Sequence, residues 1–205
     1  MMARELLSRI VRVLRAITFS KEFPMASPKS LQDMFLEEAR DLYGAEQQLI
    51  EVLPKLAEAA TSEELRAAIE SHLEETRTHV DRLEQVFDLL DMRHDGNYCA
   101  GIAGIIEEVG DLLYEKVESS AMDAAIVASA QRAEHYEIGA YGALIAWARA
   151  LGREEIAAVL ALTLKEEKAA DERLTVLAED GINEAAAGAS GRDSTYCAAT
   201  ERVRV

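Results

Sequence analysis

Apolar residues recur at three- and four-residue spacings through four long stretches of this chain, and very short turns join the first to the second and the third to the fourth. That spacing marks one face of an α-helix. A long helix that reverses within a few residues must lie antiparallel to the helix it leaves. Two such hairpins can bury their apolar faces only against each other. The pattern therefore predicts an all-α four-helix bundle, made of two antiparallel hairpins joined by a long crossover that carries a short helix. With 3 Pro, 11 Gly and 5% aromatic residues in 205 positions, a β-sandwich or barrel is disfavoured.

The first stretch opens at Ser30 and carries Leu31, Phe35, Leu42, Leu49 and Leu56. Pro54 lies inside it without a backbone N–H, which predicts a kink or break near Ile50. Ser62, followed by Glu63 and Glu64, is the expected N-cap of the second helix. That helix runs through Leu65, Ile69, Leu83 and Val86 to about Met92, where RHDGN reads as a turn. A shorter helix is expected within residues 98–118. Asp123 is the expected cap of the third long helix, which reaches about Leu151 before Gly152 stops it. The fourth runs from about Arg153 to about Glu179. The domain reading is an Arg-rich N-terminal extension over 1–29, a bundle over 30–181 and a disordered tail over 182–205. Residues 1–24 read as a dispensable extension, with Met25 as a second plausible start, or else as a targeting segment or membrane-surface helix.

Charge narrows the function classes. The chain has 38 acidic and 22 basic residues, a net charge of −16. Residues 1–30 are net positive, so the helical body is more acidic than the whole. Such a body repels nucleic acid and attracts cations. No apolar run is long enough for a membrane-spanning helix. Cys99 and Cys197 form no metal-binding or disulfide pattern, and a cytoplasmic home is expected.

The apolar stripes are interrupted near their middles. Glu38 and Glu46 break the first; His72, Glu75 and His79 the second; Glu134, Glu137 and Tyr141 the third; Glu167 and Asp171 the fourth, with Glu166 beside it. Counting outward from Thr61 and Gly152 as turn centres puts Glu46, Glu75, Glu137 and Glu166 or Glu167 at one level. Tyr43, His79, Glu134 and Asp171 fall at a second, and His72 and Tyr141 at a third. A shift of 91 residues lays Glu46 on Glu137, Glu75 on Glu166 and Arg82 on Arg173. One glutamate on an amphipathic helix normally sits at the solvent boundary, as Glu38 is expected to. Four helices sharing a level of carboxylates need basic partners, retained protons or cations. Divalent metal is the natural resolution, and Glu with His suits iron or manganese. Tyr43, His72 and Tyr141 are candidates to hydrogen-bond the ligands.

The segments LQDMFLEEARDLYGAEQQLIEVLPKLAEAA, HLEETRTHVDRLEQVF, AEHYEIGAYGALIAWARALG and LKEEKAADERLTVLA resemble the YciE/YciF-type ferritin-like family over about residues 30–180. The resemblance implies a ferritin-like bundle, a homodimer, a link to stress responses and a centre of two divalent metal ions. The general ferritin-like plan takes one Glu from each of two helices and Glu-x-x-His from each of the others. On that plan Glu46 and Glu137 match the lone glutamates. Glu75 with His79 stands for the second-helix motif at a spacing of four. Glu166 or Glu167 stands for the fourth, with Asp171 replacing His. Glu134 adds an E-x-x-E similar to that of rubrerythrins. The implied reading is a di-iron or di-manganese protein that reacts with O2 or H2O2. The alternatives are a non-catalytic dimerisation or stress module with a degenerate site and, less favoured, iron storage, which a 24-mer in solution would support.

Overall fold

The computed structural model describes residues 29–190. The readings made for 1–28 and 191–205 lie outside the described residues. The elements are α1 (Leu31–Ala59), α2 (Glu63–Leu89), α3 (Ala100–Tyr114), α4 (Ser119–Ala150), α5 (Glu154–Leu177), a π-helical turn (Ala178–Ile182) and α6 (Asn183–Ser190). Each of the four long helices packs against two others: α1 on α2 and α4, and α5 on α2 and α4. The short α3 lies along α1 and α4, and α6 lies against α4.

Hydrogen bonds between helices set the directions. Asp123, near the start of α4, bonds to Thr61 just past the end of α1, while Tyr136 farther along α4 donates to Asp41 near the start of α1. These two helices are therefore antiparallel. Arg82 meets Thr163 and Glu75 meets Arg173, so α2 and α5 are antiparallel as well. It follows that the two hairpin turns lie at opposite ends of the bundle. The crossover starts where the Asn97 N–H donates to the Arg40 carbonyl, and it returns the chain to the Thr61 end. Gly44 admits its start beside Arg40: a Cβ on Gly44 would sit 1.7 Å from the Asn97 carbonyl oxygen.

Local chemistry accounts for most boundaries. The Ser62 hydroxyl accepts from the Leu65 N–H at 3.2 Å and caps α2. Gly152 adopts a positive φ of 71°, and Arg153 N–H donates to the Ala148 carbonyl at 2.8 Å, which closes α4. Between the turns, Leu42, Leu65, Leu83, Ile126, Leu144 and Leu160 are almost fully buried. Each such side chain contributes about 1.5–3 kcal/mol of apolar burial.

Three expectations need correction. First, α1 continues through Pro54 to Ala59 and does not break near Ile50. Pro54 is exposed, and the buried Leu49, Val52, Leu53 and Leu56 around it hold the helix on the core despite one lost backbone bond. Second, Asp123 lies inside α4, whose N-cap is Glu118. Its carboxylate instead accepts from Thr61 N–H (2.7 Å), Thr61 Oγ1 (2.5 Å) and Ser62 N–H (3.0 Å), tying the first hairpin turn to the other hairpin. Third, the chain past 182 begins with a helix, Asn183–Ser190, anchored by buried Ala178 and Ile182. Small and polar residues hid that helix in the sequence, because α4 supplies the surface it packs on.

Candidate metal centre

In mid-bundle six polar side chains replace the apolar core: Glu46 from α1, His72 and His79 from α2, Glu134 and Glu137 from α4, and Glu167 from α5. All six are buried, and Glu46, His79, Glu137 and Glu167 have no exposed surface. Helical spacing delivers them, since Glu134 and Glu137 lie three residues apart on one face and His72 and His79 two turns apart. Among the described residues, seven buried side-chain atoms lack a hydrogen-bond partner, and all seven belong here: Glu46 Oε2, His79 Nδ1, Glu134 Oε2, and both oxygens of Glu137 and of Glu167. A group left this way costs about 1–3 kcal/mol, more than an ordinary hydrogen bond contributes.

Five of the six form two overlapping groups, and Glu137 stands in neither. Glu46, His79 and Glu167 can each direct one donor atom to a common point, and so can His72, Glu134 and Glu167. Glu167 is shared. His79 Nδ1 lies 2.9 Å from Glu167 and 3.6 Å from Glu46, close charge contacts without a well-directed hydrogen bond. His72 Nε2 lies 3.2 Å from Glu134. Tyr141 donates to Glu46 at 2.5 Å.

Burial pushes the Glu46, Glu134 and Glu137 carboxyls above the ordinary range. The Glu167 charge adds to this at Glu134, and the Glu46 and Glu167 charges do so at Glu137. Burial alone would lower the His79 imidazole, but the Glu167 and Glu46 carboxylates outweigh it and raise it to about 10. Without a cation, the cluster holds protons to limit its own charge.

Not every residue expected at the centre stands in it. Glu166 stands at the rim of the cluster, 3.0 Å from His79 Nε2, and takes a two-pronged bond from Arg82, at 2.5 and 2.9 Å. Glu75 takes a 2.5 Å bond from Arg173. Both carboxyls are held below the usual range, Glu75 by His72 first and then Arg173, and Glu166 by Arg82 first. Asp171 binds Gln131 and the exposed His135, each at 3.2 Å, on the outer seam between α4 and α5. Tyr43 donates to Glu84 at 2.7 Å and packs edge-on against Phe87, away from the cluster. Glu75 and Glu166 are turned about 100° from their inward-pointing neighbours Thr76 and Glu167, while the counted levels fail for another reason. With the hairpins inverted, a residue near its turn in one meets a residue far from its turn in the other. His72 therefore meets Glu134, and Tyr141 meets Glu46 and His79; equal counts from the turns do not mark equal levels.

Arg82 and Arg173 are the partners that sequence reasoning passed over. The signal was present, because the 91-residue shift exchanges Arg82 with Arg173 and Glu166 with Glu75. The two ion pairs are thus copies of one contact about a pseudo-two-fold axis between the hairpins. Under the same shift Thr76 falls on Glu167, and His79 falls on Ala170.

A family model described as "Domain of unknown function (DUF892)" matches residues 30–187. Protein YciF of Escherichia coli strain K12 is 39% identical over 159 residues, spanning 77% of this chain and 96% of that protein. The crystal structure of the E. coli stress protein YciF matches with a TM-score of 0.73, covering 77% of this chain and 99% of that one. YcfI of Rhodopseudomonas palustris, described as a candidate structural protein, is 44% identical with a TM-score of 0.72, covering 75% and 98%. A Xanthomonas campestris protein at 21% identity and a TM-score of 0.64, covering 79% and 99%, shares the fold.

Proposed function

The chain belongs to the DUF892 family of YciF-type proteins, and from that premise we propose that it is a di-metal carboxylate protein, holding two iron or manganese ions and reacting with O2 or H2O2. The observation that carries this reading is the set of seven unpartnered buried atoms on Glu46, His79, Glu134, Glu137 and Glu167. Four carboxylates and two neutral imidazoles leave a charge that two divalent cations cancel. Hard oxygen donors with two imidazoles suit iron and manganese.

The donor inventory agrees with the general ferritin-like plan, although its distribution does not. That plan uses four Glu and two His. Here Thr76 and Ala170 occupy the positions that pseudo-symmetry pairs with Glu167 and His79, so one Glu and one His are missing from their usual helices. Glu134 and His72 supply one of each from neighbouring turns, and they lie 3.2 Å apart.

Bound iron or manganese would supply one-electron chemistry with oxygen or peroxide. The protein's own part is geometric. Glu167, with both oxygens free of hydrogen bonds, is placed to serve both halves of the centre. Tyr141 holds Oε1 of Glu46 and leaves Oε2 without a hydrogen-bond partner. Two small pockets, lined mostly by apolar residues including Leu53 and Ala130, also have His72 and Glu134 in their walls. Each has room for at least one small molecule beside those two residues. The name of the E. coli relative favours a role in a stress response.

A second reading has its own support. Arg82 and Arg173 neutralise two carboxylates, Thr76 and Ala170 replace two expected donors, and the R. palustris relative is described as a candidate structural protein. On that reading the bundle is a non-catalytic module with a degenerate centre. Metal analysis of protein grown with iron and manganese, followed by oxygen and peroxide assays, separates the two. Two ions per chain with turnover support the first reading. Metal-free protein, or loaded protein without turnover, supports the second.

A further inference from the structure

Both buried histidines are held from outside the cluster in the same way. The inner nitrogen of His79, Nδ1, faces Glu167 and Glu46, while its outer nitrogen, Nε2, lies 3.0 Å from Glu166. Glu166 is clamped by Arg82. For His72 the ring is reversed: Nε2 faces Glu134, and Nδ1 lies 3.4 Å from Glu75, which Arg173 clamps. Each chain of contacts therefore reads arginine, outer glutamate, imidazole, inner glutamate. The two outer glutamates are half-buried, at 28% and 34% side-chain exposure, whereas His79 is fully buried.

We propose that Glu75 and Glu166 are positioning residues: each takes the outer N–H of one imidazole, aims that ring's other nitrogen into the core, and so sets metal affinity from the bundle surface. This rests on the metal reading above. An imidazole offers a lone pair on only one nitrogen, and the hydrogen bond made by the other nitrogen decides which. The arginines keep the outer carboxylates ionised as acceptors, and the bidentate geometry at Glu166 fixes its plane. Because each clamp spans α2 and α5, and those helices belong to different hairpins, the imidazoles are oriented only when the hairpins are docked. Sequence spacing made Glu75 and Glu166 look like metal ligands. The geometry gives them one shell farther out, with the same spacing as their cause: they sit one residue from Thr76 and Glu167, which point inward.

The test uses the full-length protein and Co²⁺ as the probe. Affinity is measured by chelator competition for wild type, Glu166→Ala, Glu166→Gln, Glu75→Ala and Glu74→Ala. Glu74 pairs with Arg77 on the exposed face and controls for loss of a surface ion pair. Removing the outer acceptor should weaken Co²⁺ binding by roughly 10–100-fold. Glu166→Gln, which still accepts from Nε2–H, should recover part of that loss, and Glu74→Ala should bind as wild type does. The second readout is the set of paramagnetically shifted imidazole N–H protons of the Co²⁺ form. Glu166→Ala and Glu75→Ala should each make one of them exchange rapidly with solvent, an effect that a general loss of stability does not produce one proton at a time. Wild type that binds no Co²⁺ overturns the metal reading and this proposal with it. Wild-type binding that persists unchanged in both alanine variants, with both N–H protons still protected, overturns this proposal alone.

Discussion

Tyr141 reaches across the bundle from α4 to α1 and donates a 2.5 Å hydrogen bond to Glu46, both residues being fully buried. The phenol satisfies one carboxylate oxygen and leaves Oε2 unpartnered. It is a neutral side chain hydrogen-bonded to the cluster from the side where α1 and α4 meet.

Replacing Tyr141 with Phe removes that donor while keeping the ring. A second oxygen of Glu46 is then orphaned, and the metal-free protein should lose about 1.5–3 kcal/mol, the usual cost of a hydrogen bond to a charged group. Thermal unfolding with and without Mn²⁺ checks it. The loss should shrink when metal is present, because the cation takes over the freed oxygen; an equal loss in both states would contradict the role given to Glu46.

Glu167 and Asp171 sit one helical turn apart on α5, yet their substitutions should behave oppositely. Glu167→Gln removes the carboxylate common to both donor groups and should abolish stoichiometric loading. Asp171→Asn touches only Gln131 and His135 on the outer seam and should change neither loading nor stability by more than about 0.5 kcal/mol. Elemental analysis of both variants after identical growth is the measurement. In wild type, metal at a hundred times its Kd should add about 2.7 kcal/mol of stability.

The pH dependence has a definite sign. Burial raises Glu46, Glu134 and Glu137 in the folded protein, so it keeps protons that the unfolded chain releases near pH 4.3, roughly the free Glu value. That stability is complete below the unfolded value and is lost as pH rises through the folded ones. Glu75 and Glu166 are lowered, so their contribution is present above the unfolded value and lost as pH falls. The His79 contribution is complete below its unfolded value of roughly 6.5 and declines from there as pH rises toward its raised value of about 10. Metal-free protein should therefore be most stable in mild acid and weaken toward neutrality. Mn²⁺ should remove that weakening. Denaturant titrations from about pH 4 to pH 8, with and without metal, test this. Metal-free stability that climbs steadily to pH 8 would count against it.

Asp123 predicts an effect far from the centre. Its carboxylate accepts three hydrogen bonds from Thr61 and Ser62, so Asp123→Ala leaves three donors at the first turn without their acceptor. The expected cost is about 3 kcal/mol, read by thermal unfolding, with metal stoichiometry unchanged. A cost below about 0.5 kcal/mol would mean that water replaces the carboxylate.

Much of this protein can be read along the chain. The helical period of the apolar residues, the Ser62 cap, the Gly152 stop and the short turns are local, and local rules delivered four long helices in two hairpins. The candidate donors Glu46, His79, Glu134, Glu137 and Glu167 were visible as polar breaks in apolar stripes. Their division into inner and outer groups was not. Neighbours on a helix differ by about 100° of rotation, so Glu166 and Glu167 are nearly equivalent in a linear pattern and opposite in surroundings.

What the chain determined by itself was which residues interrupt the core and on which helices. Only the tertiary structure decided which of them meet, because that depends on docking one hairpin upside down against the other. The inversion pairs His72 with Glu134 and His79 with Glu167, brings Arg82 and Arg173 to the outer glutamates, and leaves Asp171 and Tyr43 outside. Spacing within a helix fixes a side chain's direction relative to its own axis; the charge or lone pair it finds there belongs to another segment of chain.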